Sequence, residues 1–209
     1  MRISAAVGAL CATALVVGTV PAAGAPEPAL VGAGARDPLP GVVVRYRVDG
    51  VSHLAKLGSD LVIGPGEMVA EIDLLTGRIS GVLTLPPSSG RFLAFGFVPT
   101  TSDVVLAPVG EVTGTIVNGR ITAHVDLDIG LTRTAVDGVD LRIGEGCRTR
   151  QPASIDLEGP FDLARIPLTG TYAIPAYGGC GADEPLDPLL TGLVSGPGND
   201  LEMTLTSTV

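Results

Sequence analysis

The chain is predicted to be all-β: a single antiparallel β-sandwich of roughly ten strands, or alternatively a closed β-barrel, with one short helix near the C-terminus. Three observations predict it. Apolar and polar residues alternate with a period of two along most of the chain, helical spacing is nearly absent, and the alternating runs are separated by dipeptides that suit hairpins.

Residues 1–25 read as a secretory signal. After Arg2 no charge occurs until Glu27, and the apolar run Ile3 to Val20 ends in Pro21-Ala22-Ala23-Gly24-Ala25. Small residues allow cleavage after Ala22 or after Ala25, and the first is preferred because Pro26 follows the second. An uncleaved anchor is the competing reading on length, but the many Ala and Gly residues weaken it. Cys11 belongs to the signal, since Leu10 stands where a lipid-modified cysteine would want a small residue. Residues 26–40, rich in Pro, Ala and Gly, read as a flexible spacer, and 41–209 as one β domain.

In Glu67 to Leu74 the apolar set is Met68, Ala70, Ile72 and Leu74, with Glu67, Glu71 and Asp73 opposite. Arg91 to Val98 breaks the alternation. It is apolar on both faces and holds Phe92, Phe95 and Phe97, so it is expected to be a central strand covered on both sides, with a contact surface as the alternative. Ile121, Ala123, Val125, Leu127 and Ile129 alternate with Thr122, His124, Asp126 and Asp128 in a long strand. Shorter copies lie at Ser154 to Glu158, Leu168 to Ile174 and Leu201 to Leu205.

Asn118-Gly119 is the strongest hairpin signal, because both residues tolerate the positive φ of a type I′ turn. Thr76-Gly77 and Asp137-Gly138 are similar, while Gly64-Pro65-Gly66 and Gly196-Pro197-Gly198-Asn199 read as turns. Asp187 to Val194 is the helix candidate, with Asp187 to cap, Pro188 in the first turn and Gly196 to end it. It is expected to plug an open end of the sheets or to form a lid.

Signal removal leaves Cys147 and Cys180 in an oxidising compartment, where a disulfide is the natural pairing, worth roughly 4 kcal/mol on loop entropy. The formal net charge is −9. That balance disfavours nucleic acid and anionic bilayers as partners. No integral span is expected after signal cleavage, which leaves a protein, cell-wall or lipid partner.

The residue pattern favours a non-catalytic role. No G-x-S-x-G elbow occurs, and His53 and His124, the two histidines, fall on polar strand faces. There is no Trp for a sugar platform, no phosphate-cradling loop, and no cofactor is expected. His124, Asp126 and Asp128 share a strand face but spread along about 13 Å, too far for one ion. A metal site would need help from a neighbour such as Glu111, so these four residues are weak candidates against an ordinary wet face.

The Leu85-Pro86-Pro87 turn, two late cysteines and Gly196 to Asn199 before a last strand resemble a type of small exported protein found in actinobacteria. The resemblance spans 41–206 and implies an envelope or extracellular setting, with no site residues. The expected role is surface contact with protein or cell-wall components. The alternative is a carrier of a lipid or other apolar ligand, with Phe92, Phe95 and Phe97 lining a cavity of at least roughly 300 Å³ and Leu189, Leu190 and Leu193 near its mouth.

Overall fold

A computed structural model describes residues 41–208. The signal (1–25) and spacer (26–40) assignments lie outside the described residues. Thirteen strands and one helix follow in order: β1 Val42–Leu54, β2 Ser59–Asp73, β3 Arg78–Thr84, β4 Ser88–Ala94, β5 Val98–Pro108, β6 Val112–Val117, β7 Arg120–Val136, β8 Val139–Asp140, β9 Arg148–Thr149, β10 Ala153–Pro160, β11 Arg165–Ile174, β12 Tyr177–Gly178, α1 Asp187–Val194 and β13 Gly196–Ser207. The fold is all-β with one short late helix, as the alternation requires, and of the two expected architectures the barrel is the one observed.

Eight strands close the ring in the order β1-β2-β3-β6-β7-β10-β11-β13 and back to β1, every pair antiparallel. β7 makes the closure because both of its edges are used: Leu127 faces Pro108 on one side and Ala153 on the other. Its first half pairs with β6 and β10, and its second half pairs with β5. β4 pairs with β5 and lies against β2. The gap between β2 and β7 is therefore filled at one level by β3 and β6, and at the other by β4 and β5.

Ile121, Val125, Leu127 and Ile129 are buried along β7, and Ile155, Leu168, Leu201 and Leu205 extend the same interior. Burying one such side chain contributes about 1.5–3 kcal/mol, so the inward set supplies the main drive to close the ring. Asn118 and Gly119 both take positive φ between β6 and β7, as a type I′ hairpin needs, and Asp137-Gly138 does the same after β7.

Four local expectations are corrected. Arg91 to Val98 is not a covered central strand; it is the end of β4, a tight turn and the start of β5. Phe95 and Gly96 take positive φ there, so Phe95 occupies a place usually given to Asn or Asp. Leu93, Phe95 and Phe97 stand exposed at 50%, 68% and 75%. Gly64-Pro65-Gly66 is no turn between strands but an irregularity inside β2, where the β1 register shifts between Val48 and Gly50. Gly196 to Asn199 opens β13 instead of preceding it, and Asn199 is buried: its Nδ2 donates to the Tyr172 and Gly196 carbonyls, and its Oδ1 accepts from Ala55 N–H. Leu74 leaves the buried face because it lies in the turn after β2.

The helix spans the predicted residues. Asp187 serves differently from expected: it makes no side-chain cap, and its carboxylate accepts from Cys180 N–H at 2.7 Å and from Arg150 Nη2 at 3.1 Å. Cys147 and Cys180 are joined as a disulfide with Cα atoms 4.2 Å apart, both buried. The bridge, the β9–β12 pair and α1 gather beside the second half of β7. Among the described residues no helix is long and apolar enough to cross a membrane.

Candidate functional site

The barrel interior is packed unevenly. At the β3–β6 level, side chains including Met68, Ile121, Leu157 and Met203 leave an apolar void of only about 60 Å³. At the β4–β5 level, a chamber of about 250 Å³ opens between the barrel wall and α1. Its wall comes from the end of β1 (Leu54), the β1–β2 turn (Leu57), β2 (Leu61), β4 and β5 (Ala94, Val98, Val104), the second half of β7 (Ile129, Leu131) and the helix. The difference has a local cause. Along β5 and β7 the inward positions that continue the apolar rhythm become Thr100, Ser102 and Thr134, smaller residues that leave space.

Phe92, Phe95, Leu189, Leu190 and Leu193 all line this chamber, so two segments almost a hundred residues apart converge as the carrier alternative required. Leu190 is buried, while Leu189 and Phe95 are partly in solvent, which sets the mouth between α1 and the β4–β5 turn. Phe97 is not part of the wall: the turn carries it outward, and it is the most exposed aromatic named here. The volume is also smaller than the 300 Å³ expected.

The polar groups of the wall largely satisfy one another. Ser102 Oγ and Thr134 Oγ1 are 2.7 Å apart, Ser52 Oγ and the Tyr172 hydroxyl 2.9 Å, and Thr100 Oγ1 donates to the Val98 carbonyl at 3.2 Å. With most of its hydroxyls already paired, the chamber offers little reward to a polar guest and none of the charged groups that bond making would use. Tyr172, Tyr177, Leu131 and Val98 were not foreseen as wall residues. The period-two pattern marks Tyr172 and Leu131 as inward, Val98 and Tyr177 fall outside any alternating run, and nothing in the spacing says which inward positions face a void.

His124 is placed differently from the metal alternative. Its Nδ1 lies 2.7 Å from Asp156 Oδ1 on β10, because β7 pairs His124 directly with Asp156, and its Nε2 is 3.6 Å from Asp126 Oδ1. Asp128 and Glu111 do not join them, and among the described residues no three His, Cys, Asp or Glu groups converge to hold a metal. The strands there form an open depression of about 1320 Å³, lined by Glu71, Glu158, Asp200, Glu202 and several threonines. It is the wet outer face of the sheet, and the enclosed chamber is the better candidate for a specific site.

The hydrogen bond to Asp156 is the main cause that raises the His124 pKa above its ordinary value, with Asp126 adding a smaller push. A raised folded value stabilises the fold fully below the unfolded pKa, near about 6.5, and that contribution is lost as pH rises through the folded value. Both partners are largely exposed, so the effect is small. His124→Gln is expected to lower stability slightly at about pH 5.5 and to match the wild type near about pH 8.5, measured by urea unfolding. A difference between the two proteins that grows with pH would contradict this assignment.

Comparison with known proteins supplies no relative: no family model matches the chain, and no match was found among curated proteins or solved structures.

Proposed function

We propose that this protein is an exported, non-catalytic carrier of a small apolar ligand, held in the chamber between α1 and the β4–β5 level of the barrel. One observation carries the reading: an enclosed, almost wholly apolar space of about 250 Å³ whose wall includes Phe92, Phe95, Leu189, Leu190 and Leu193. A cavity of roughly 150 Å³ lined by Leu, Ile and Phe stays dry and takes up benzene, so this chamber has room for a substituted ring or a branched chain of similar bulk. A long-chain lipid wants a larger pocket, of the order of 300 Å³ or more. The Cys147–Cys180 bridge supports export to the envelope or extracellular space, since such bonds persist in oxidising compartments.

Toluene added to the purified protein is expected to shift the methyl NMR signals of Leu131 and Leu190 in a saturable way. Ala94→Phe and Val98→Phe, which each place a ring in the space, are expected to abolish that response while leaving the circular dichroism unchanged. A response that never saturates, or that survives in both filled variants, would remove the carrier reading.

Surface contact is a second reading, favoured by the exposed pair Leu93 and Phe97 at the β4–β5 hairpin. A protein, cell-wall or lipid partner would be lost in the double variant Leu93→Ser, Phe97→Ser, which should still bind toluene.

A further inference from the structure

We propose that the tip of the β4–β5 hairpin docks into a zwitterionic lipid surface, seated so that the chamber mouth faces the bilayer. The orientation deepens the carrier reading and rests on it. Leu93, Phe95 and Phe97 stand exposed together at this tip, and Phe95 also lines the chamber, so the apolar patch runs without a break into the mouth beside Leu189. An apolar ligand entering there crosses the patch first.

The tip is built to hold its rings outward. Gly96 N–H donates to the Leu93 carbonyl at 3.1 Å and Phe97 N–H to the Ala94 carbonyl at 3.2 Å, which fixes the turn. Phe95 keeps a positive φ that disfavours a bulky side chain, while most of its surface is left in solvent. A hairpin that only had to turn would carry Asn or Gly at that place.

Size and charge point to lipid as the occupant. The three side chains offer on the order of 400 Å² of apolar surface, about half of what each side of a stable protein interface covers. A bilayer moulds itself around a narrow tip and rewards apolar area without a matching surface. The chain carries 22 acidic residues, yet none falls between Asp73 and Asp103, so the hairpin is spared the repulsion that the rest of the molecule would feel. Charges beside the tip balance: Arg91 shares the face of Leu93, Asp137 lies against Pro99, and Asp103 is paired with Arg133.

Sucrose-loaded phosphatidylcholine vesicles make the test. The wild type is expected to sediment with them, and adding phosphatidylglycerol should not strengthen the binding. Leu93→Ser, Phe97→Ser should bind at least about tenfold more weakly and keep its toluene affinity, since neither residue lines the chamber. The control is Leu74→Ser, Leu75→Ser in the exposed turn between β2 and β3, at the other level of the barrel, and it should sediment like the parent. With doxyl-labelled lipid in the vesicles, the methyl signals of Leu93 and Leu189 should broaden ahead of those of Leu74 and Leu75.

A wild type that stays in the supernatant, binding that phosphatidylglycerol strengthens, a control that loses as much as the hairpin variant, or broadening that begins at Leu74 and Leu75 would overturn the proposal. So would a dimer of the free protein that the hairpin variant dissolves, which would assign the patch to a second copy. Each of these leaves the carrier reading standing, because toluene uptake by the free protein judges that reading on its own.

Discussion

Replacing Cys147 and Cys180 together by serine is expected to lower the free energy of unfolding by about 4 kcal/mol, the largest effect foreseen for a change outside the barrel core. The two positions are 33 residues apart, and the loop they close contains both β10 and β11. These are the strands that complete the ring between β7 and β13, so in the unfolded chain the bridge keeps the two closing strands within one tether. In the folded state it also ties the helix to the wall. Gly181 N–H donates to the Ile143 carbonyl, and Asp187 at the start of α1 receives the Cys180 N–H. Urea unfolding of the double serine variant, beside the oxidised parent, measures the loss. A difference under about 1 kcal/mol would mean that the reduced chain already holds these segments together. Toluene affinity should fall in the same variant before the barrel unfolds, since Leu189, Leu190 and Leu193 ride on the helix that the bridge anchors.

The parts of this fold that sequence makes legible are those decided by neighbours in the chain. Period two assigns Ile155 and Leu157 to the interior and Asp156 to solvent, because the pleat leaves no other choice. Asn118-Gly119 closes its hairpin for an equally local reason, and Asp187-Pro188 starts its helix where predicted. What lay beyond reach depends on partners far away in sequence. Sandwich and barrel present the same alternation, and the choice is made by β7 pairing on both edges, which no pattern within β7 announces. Phe92, Phe95 and Phe97 illustrate the limit in one segment. Their apolar character is plain, yet the turn at Phe95-Gly96 sends Phe92 and Phe95 to the chamber and Phe97 to the surface.

The seam between β10 and β11 yields the second large effect. Only Glu158 and Thr169 are in ladder register there, and the strands come close where two residues lack side chains. A Cβ on Gly159 would meet the Pro167 carbonyl, and one on Gly170 would meet the Asp156 carbonyl, with Leu157 Cδ2 at 2.9 Å. Neither glycine has positive φ, so nearness of the opposite backbone is what excludes a methyl group, not backbone strain. Gly159→Ala and Gly170→Ala are therefore each expected to destabilise the protein by about 2–3 kcal/mol, the upper part of the range for overpacking, because a backbone carbonyl cannot rotate aside as a side chain can. Gly192→Ala provides the contrast. It lies in α1 with nothing within 4 Å of the added carbon, and alanine is favoured over glycine in a helix by up to about 1 kcal/mol, so that variant should be unchanged or more stable. Urea midpoints of the three variants, compared at equal m-values, give the answer. Loss at Gly159 and Gly170 with gain at Gly192 means that the ring is closed by tight backbone approach at this seam. Three equal changes would mean that the closure depends on the inward side chains alone.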